Sequence, residues 1–367
     1  MIDTAKGVAM PYNITLAADK YVSLSGRLTE NEIEELAAIG AMDRIEASFV
    51  PLPDDLAMLN ELYFQKFPST GLRLSGLASK NTIDLKNLSS LTYLQKLSLD
   101  GEQNVVGTEA LTQLPRLKKL ALNIKPLCEF NFLRNVSNGL EQLSLETKSK
   151  SLDLSILKHF KNLRAINLSI FRKGIEALCD LPLLESLTFK GSPSSFDFLN
   201  KMPKLKRLRI LRGSARDFSE IYGNKTIKVL QLVRIPHLDQ INLISNLPNL
   251  ETLELSQLCH ITELPNLSGH NSLKHVLLED LKSLTDLSGL EHCPNLETFD
   301  FSMCPISLPL DSLVPVLRNK HLQHCSVSTA SANKNQLFSL IIDSSRKKSE
   351  SGCANVRKAI TNDFGDF

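Results

Sequence analysis

Six-residue rows with apolar residues at their first, fourth and sixth positions recur along this chain. They run as LQKLSL from Leu94, LKKLAL from Leu117, LEQLSL from Leu140, LRAINL from Leu163, LESLTF from Leu184 and LKRLRI from Leu205. They continue as IKVLQL from Ile227, LETLEL from Leu250, LKHVLL from Leu273 and LETFDF from Leu296, with a weaker LQHCSV from Leu322. The second apolar position of each row falls at Leu97, Leu120, Leu143, Ile166, Leu187, Leu208, Leu230, Leu253, Val276, Phe299 and Cys325, at spacings of 21 to 26 residues. In most rows the last three residues alternate apolar, polar, apolar, with Ala121 and Leu277 as exceptions, which is the period of a strand buried on one face. The same register extends upstream in degenerate form to Leu72, Ile45 and Val22.

A second mark keeps the same period. Pro115, Pro182, Pro203, Pro248 and Pro294 each lie five positions before the second apolar residue of their row. Proline disfavours helix at the residue before it and cannot donate to a strand ladder, so it ends one segment and admits the chain to the next strand. Each repeat has room for a short strand, a turn and a brief helical or 3-10 segment. It cannot bury its leucines except against neighbouring repeats.

These rows resemble leucine-rich repeats, closely from Leu94 to Val327 and loosely from Tyr21 to Leu77. The resemblance implies an α/β repeat solenoid, an arc with a parallel concave sheet and short helical or 3-10 convex segments. About 14 coils are expected over residues 21–327, the first three degenerate. The exposed ends of a solenoid need covers, so residues 1–20 are expected to form an N-terminal cap and 328–367 a C-terminal cap with a polar tail. One departure from the family pattern stands out. The asparagine that usually follows the row is replaced by Glu102, Lys125, Lys148, Phe171, Ser192, Gly213, Ile235, Leu258, Leu281 and Cys304. Backbone groups buried at that turn must therefore find other partners.

Composition narrows the function classes. The 367 residues carry a formal charge of +2, with a mean hydropathy of -0.07 and a pI near 8.1. That balance exerts little pull toward nucleic acid or anionic lipid, and no apolar run is long enough to span a bilayer. The opening MIDTAKGVAMPYN lacks the form of a secretory signal. The seven cysteines are scattered, odd in number and never spaced as CxxC, which fits reduced thiols. A cytoplasmic location is expected.

Chemistry-bearing residues are present without the spacing that chemistry needs. Cys259 with His260, His292 with Cys293, and His321 and His324 with Cys325 lack metal-ligand spacing, and no nucleophile, phosphate-loop or dinucleotide motif occurs. No catalytic residue, metal or cofactor is expected, and no small-molecule substrate. A basic run at Arg346, Lys347 and Lys348 reads as a solvated loop.

The residues flanking the paired apolar positions of a row point to the opposite sheet face. On that face a basic zone (Lys118, Lys119, Lys204, Lys206, Arg207, Arg209, Arg212) precedes an acidic one (Glu251, Glu254, Glu279, Glu297, Asp300). Leu211, Val229 and Val233, with Leu277 further on, are apolar where polar residues are usual. Apolar surface rimmed by charge is the pattern of an interface. The expected partner-binding residues are Lys206, Arg207, Arg209, Leu211, Val229, Gln231, Val233, Glu254, His275, Leu277, Glu279 and Asp300. His275 and His324, at matching positions of different coils, could lend pH sensitivity.

The expected function is non-catalytic: a scaffold that binds another protein, such as a toxin or an enzyme, and sequesters or inhibits it. The resemblance extends by analogy to stand-alone inhibitors such as ribonuclease inhibitor and to bacterial immunity proteins. The alternative is an adaptor that recruits a client to a larger complex. A nucleic-acid partner is disfavoured by the mixed charge and by the lack of aromatics among the basic residues.

Overall fold

The computed structural model describes residues 14–17, 20–75, 82–149, 152–169, 173–345, 347 and 354–356. Phe171, Arg346, Lys348, Cys353 and most of the expected N-terminal cap and polar tail lie outside the described residues. Fifteen strands follow one another in chain order in one sheet, and a separate pair joins Ile83–Asp84 to Val105–Val106. The chain divides into two compact units after Leu183.

In the first unit Ile14–Ala17 pairs antiparallel with Tyr21–Leu24. Parallel ladders then join Val22 to Ile45, Leu72, Leu97, Leu120, Leu143 and Ile166 in turn. In the second unit Leu187, Leu208, Leu230, Leu253, Val276, Phe299 and Cys325 are matched in the same way. These are the second apolar positions of the rows, and none is more than 2% exposed. A one-residue slip would turn every leucine to the other face, so the spacing of the rows fixes the register.

The segments returning from strand to strand are helical in some coils and 3-10 in others. The spacing of 27 from Ile45 to Leu72 has room for the helix Pro53–Met58 and a π-helical stretch, Leu59–Phe64. The helix Glu30–Ile39 opens on a capping box in which Thr29 and Glu32 bond each other's backbone N–H. Later coils of 21 to 23 residues carry short 3-10 segments, among them Thr108–Gln113, Ile175–Asp180 and Asn242–Asn246. The last strand is followed by the helix Ala332–Ser344, which packs Phe338 and Ile342 inward.

The missing turn asparagines are replaced by two devices. In the second unit the residue four places after the second apolar position is left-handed: Gly191 at φ 123°, then Arg212, Arg234, Gln257, Asp280 and Met303 at 49° to 55°. This turns each N–H toward the neighbouring strand: Arg212 donates to Val233 O at 2.8 Å, Arg234 to Ser256 O at 3.0 Å and Gln257 to Glu279 O at 2.9 Å. Ile235, Leu258, Leu281 and Cys304 then stack in the core where asparagines usually stand.

The second device moves asparagine to the other end of the strand. Asn162, Asn249 and Asn295, each just before a row, donate their amides to the carbonyls of Asn138, Lys225 and Asn271 at 2.7 to 2.9 Å. Two places earlier a buried ladder runs in which His270 Nε2 meets Leu247 O at 2.7 Å, the Cys293 thiol faces His270 O at 4.0 Å, and the Asn319 amide donates to Cys293 O.

Candidate protein-binding face

All twelve expected site residues lie in the second unit, and the register sets eleven of them in three adjacent rows. The middle row is Arg209, Gln231, Glu254, Leu277 and Asp300, one per strand. Arg207, Val229, Thr252 and His275 form the row toward the strand starts, and Leu211, Val233, Ser256 and Glu279 the row toward the strand ends. Strands lie about 4.8 Å apart, so four spacings separate Arg209 from Asp300, roughly 19 Å. Lys206 stands at the strand entrance, outside these rows. We call this surface the open face.

Alternation along each strand explains the arrangement: leucines turn into the core and the intervening residues turn away from it. The face is less solvated than alternation alone predicts. Leu211, Val229 and Val233 are half-buried, as are Arg207, Arg209, Glu254, His275 and Glu279, while Gln231 and Asp300 are buried.

Leu277 departs from the sequence expectation. It is fully buried, because Val229 and Val356 pack against it. Val356 comes from a helical turn at 354–356 that follows the capping helix in the chain, so part of the apolar centre is covered by the protein's own C-terminal region. Proximity between residues 79 positions apart leaves no local trace. The one available signal was an isolated apolar residue beside Arg357 and Lys358.

Charge on the face is also more balanced than the two-zone reading implies. At the strand entrances opposite charges pair between neighbouring coils: Lys206 with Glu185 at 3.3 Å, Lys228 with Glu251 at 2.6 Å and Lys274 with Glu297 at 3.5 Å. Lys118 pairs with Glu141 at 3.3 Å in the first unit. Such half-exposed pairs contribute about 0 to 1 kcal/mol each and chiefly cancel the local field. In the middle row the Gln231 amide donates to Glu254. None of Arg207, Arg209, Glu279 and Asp300 stands without a partner.

Burial governs several titratable groups among the described residues. Burial, opposed by Glu297, holds His275 below the ordinary histidine range, which favours its neutral form. Burial pushes the Cys293 and Cys304 thiols up to about 11, and both are protonated at neutral pH. Cys259, Cys293 and Cys304 are outside any disulfide. Among the described residues no three His, Cys, Asp or Glu side chains gather to hold a metal ion. No helix among them is long and apolar enough to cross a membrane.

No family model and no curated protein sequence matches the chain. The structure is similar to that of an internalin from Listeria monocytogenes, at 19% identity over 85% of this chain and 87% of that one, with a TM-score of 0.54. The fold is that of the leucine-rich repeats. A leucine-rich-repeat protein of Leptospira interrogans is also similar, at 19% identity over 88% of this chain and 92% of that one, with a TM-score of 0.43. At these identities the likeness concerns the fold alone. In a leucine-rich-repeat frame the open face is the surface formed by the strands, whereas the returning segments carry the variation in coil length.

Proposed function

We propose that this leucine-rich-repeat protein is a non-catalytic scaffold that binds another protein on the open face of its second unit. The observation that carries the reading is the juxtaposition of half-buried Leu211, Val229 and Val233 with Arg207 and Arg209 on one side and Glu254, Glu279 and Asp300 on the other. Apolar centres with charged margins suit protein partners carrying both signs of charge. Strands fixed by ladders on both sides lower the ordering cost of association. The narrower reading is sequestration or inhibition of a toxin or enzyme inside the cell, as an immunity protein would act.

Affinity capture from native extract, followed by assay of the captured protein with and without added chain, tests this. Saturable loss of the partner's activity at one-to-one stoichiometry is expected. Turnover by the purified chain that disappears on substitution of an open-face residue contradicts a non-catalytic role.

A second reading, an adaptor that joins a client to a larger complex, is favoured by one observation. The capping helix carries Leu337 and Leu340 at 46% and 61% exposure, a separate apolar surface. An adaptor leaves the partner's activity unchanged, and Leu337→Asp with Leu340→Asp then severs the assembly without weakening client binding.

A further inference from the structure

The strands of the first unit also turn a set of residues away from the leucines, and there two lysines stand without a counter-charge. We infer that this face of the first unit binds an extended acidic segment of a protein partner, held by Lys96 and Lys119. The site lies in the other compact unit and does not rest on the proposed role of the open face.

Charge is the first observation. On these strands Arg73 pairs with Glu46 at 3.4 Å and with Asp100 at 2.7 Å. Lys96 and Lys119 differ. They stand in register on adjoining strands, about 4.8 Å apart. Their neighbours in the same row are Gly71 and Gln142, neither of them anionic. Among the described residues neither lysine has an ion-pair or hydrogen-bond partner. Glu141 attracts Lys119 but is paired with Lys118 at 3.3 Å. Both lysines are half-buried, and burial, followed by the charge of Lys96, holds the Lys119 ammonium below the ordinary lysine range. Like charges facing each other across neighbouring strands destabilise a sheet, so this pair is kept at a cost that an arriving anion removes.

The second observation is a set of buried polar groups beside the lysines. Two residues further along, Ser98 and Ser144 flank Ala121 on three adjoining strands. Each serine is 7% exposed, and its hydroxyl makes no hydrogen bond among the described residues. Close by, the buried Oδ1 atoms of Asn123 and Asn167 have no donor among them either. The face therefore lacks both acceptors and donors. A free phosphate brings chiefly acceptors, whereas an extended peptide brings carboxylates for the lysines and N–H groups for the asparagines. From the Lys96 strand to the Asn167 strand is three spacings, roughly 14 Å, or about four extended residues. One free anion does not span that distance. No aromatic side chain stands in these rows for a base to stack on, which disfavours a nucleic acid.

Isothermal titration of the full chain with end-capped hexaglutamate tests the inference. Wild type should bind it saturably, and a Lys96→Gln, Lys119→Gln chain at least about tenfold more weakly. The control is Lys86→Gln with Lys158→Gln, which removes the same charge from lysines paired with Asp84 and Asp180 on 3-10 segments, and it should match wild type. Lys119→Gln alone should melt above wild type in low salt, because the like-charge contact is gone. No saturable binding, equal loss in the two double variants, or a Lys119→Gln chain that melts no higher than wild type overturns the inference. So does tighter binding of inorganic phosphate or of an oligouridylate than of hexaglutamate. The open face of the second unit holds neither lysine, so such a failure leaves the proposed function untouched.

Discussion

Gly289 offers a direct test of how tightly the coils beneath the open face are packed. It is buried in the 3-10 segment Ser288–Leu290, on the coil joining the Val276 and Phe299 strands. A Cβ at this position would stand 2.3 Å from the carbonyl oxygen of Pro265 and 2.6 Å from that of Leu264. Both are backbone atoms of the preceding coil and cannot rotate away. That coil is also tied to this one by the Leu267 N–H donating to Gly289 O at 2.9 Å. Gly289→Ala must push the two coils apart. Overpacking costs about 1 to 3 kcal/mol and the strained hydrogen bond about 1 more, so roughly 2 to 4 kcal/mol is expected. Gly269 supplies the control, because its added Cβ would meet nothing within 4 Å. Gly269→Ala should stabilise by about 0.4 to 1 kcal/mol through the unfolded chain. Urea denaturation followed by circular dichroism measures both. At about 2 to 4 °C per kcal/mol the two melting temperatures should differ by at least about 5 °C. A Gly289→Ala protein as stable as wild type would refute the packing described here.

Two further outcomes follow from the stitching of the coils. The left-handed turn residues cost about 1 to 2 kcal/mol each relative to glycine's freedom there, so Gln257→Gly should raise stability by about 0.5 to 1 kcal/mol after the larger unfolded-state entropy of glycine is set against it. Gln257→Val should lower it, both read from urea midpoints. His270 is held below the ordinary histidine range by burial, and its Nδ1 has no hydrogen-bond partner among the described residues. The unfolded chain therefore takes up a proton more readily than the folded one. Stability that is full above about pH 6.5 is lost as the pH falls below that value, by up to about 1.4 kcal/mol per pH unit. His270→Asn places at this position the residue that holds the same ladder position at Asn319, and should flatten that slope. Parallel slopes for the two proteins between pH 7 and 5 would contradict it.

The sequence carried the register of the strands because the constraint is local and repeated. Each LxxLxL row buries the same three positions, so a spacing of 21 to 27 residues fixes which residue of one coil faces which of the next. The fold of the turns was less legible. A missing asparagine points to missing stitches, yet Arg212, Arg234, Gln257, Asp280 and Met303 adopt a conformation that glycine would have announced. Asn162, Asn249 and Asn295 also stitch from the other end of the strand. Within the candidate site, alternation placed eleven residues in three rows but said nothing of what covers them. Leu277 looks exposed from its own strand and is buried by Val356 from the far end of the chain. The pairing of Lys206 with Glu185 and Lys228 with Glu251 was visible only after the strand entrances were aligned.

The central claim is that the open face of the second unit binds a protein. The most direct measurement is the affinity of the captured partner for the purified wild-type chain and for a Leu211→Asp, Val233→Asp double variant shown by melting to be folded. Both residues lie in one row on adjacent strands and are half-buried, so two carboxylates there should remove the apolar centre. The account predicts weakening of at least about a hundredfold, in line with the 2 kcal/mol or more that a hot-spot residue contributes. Unchanged affinity in a folded variant would contradict it and move the binding surface to another face of the solenoid.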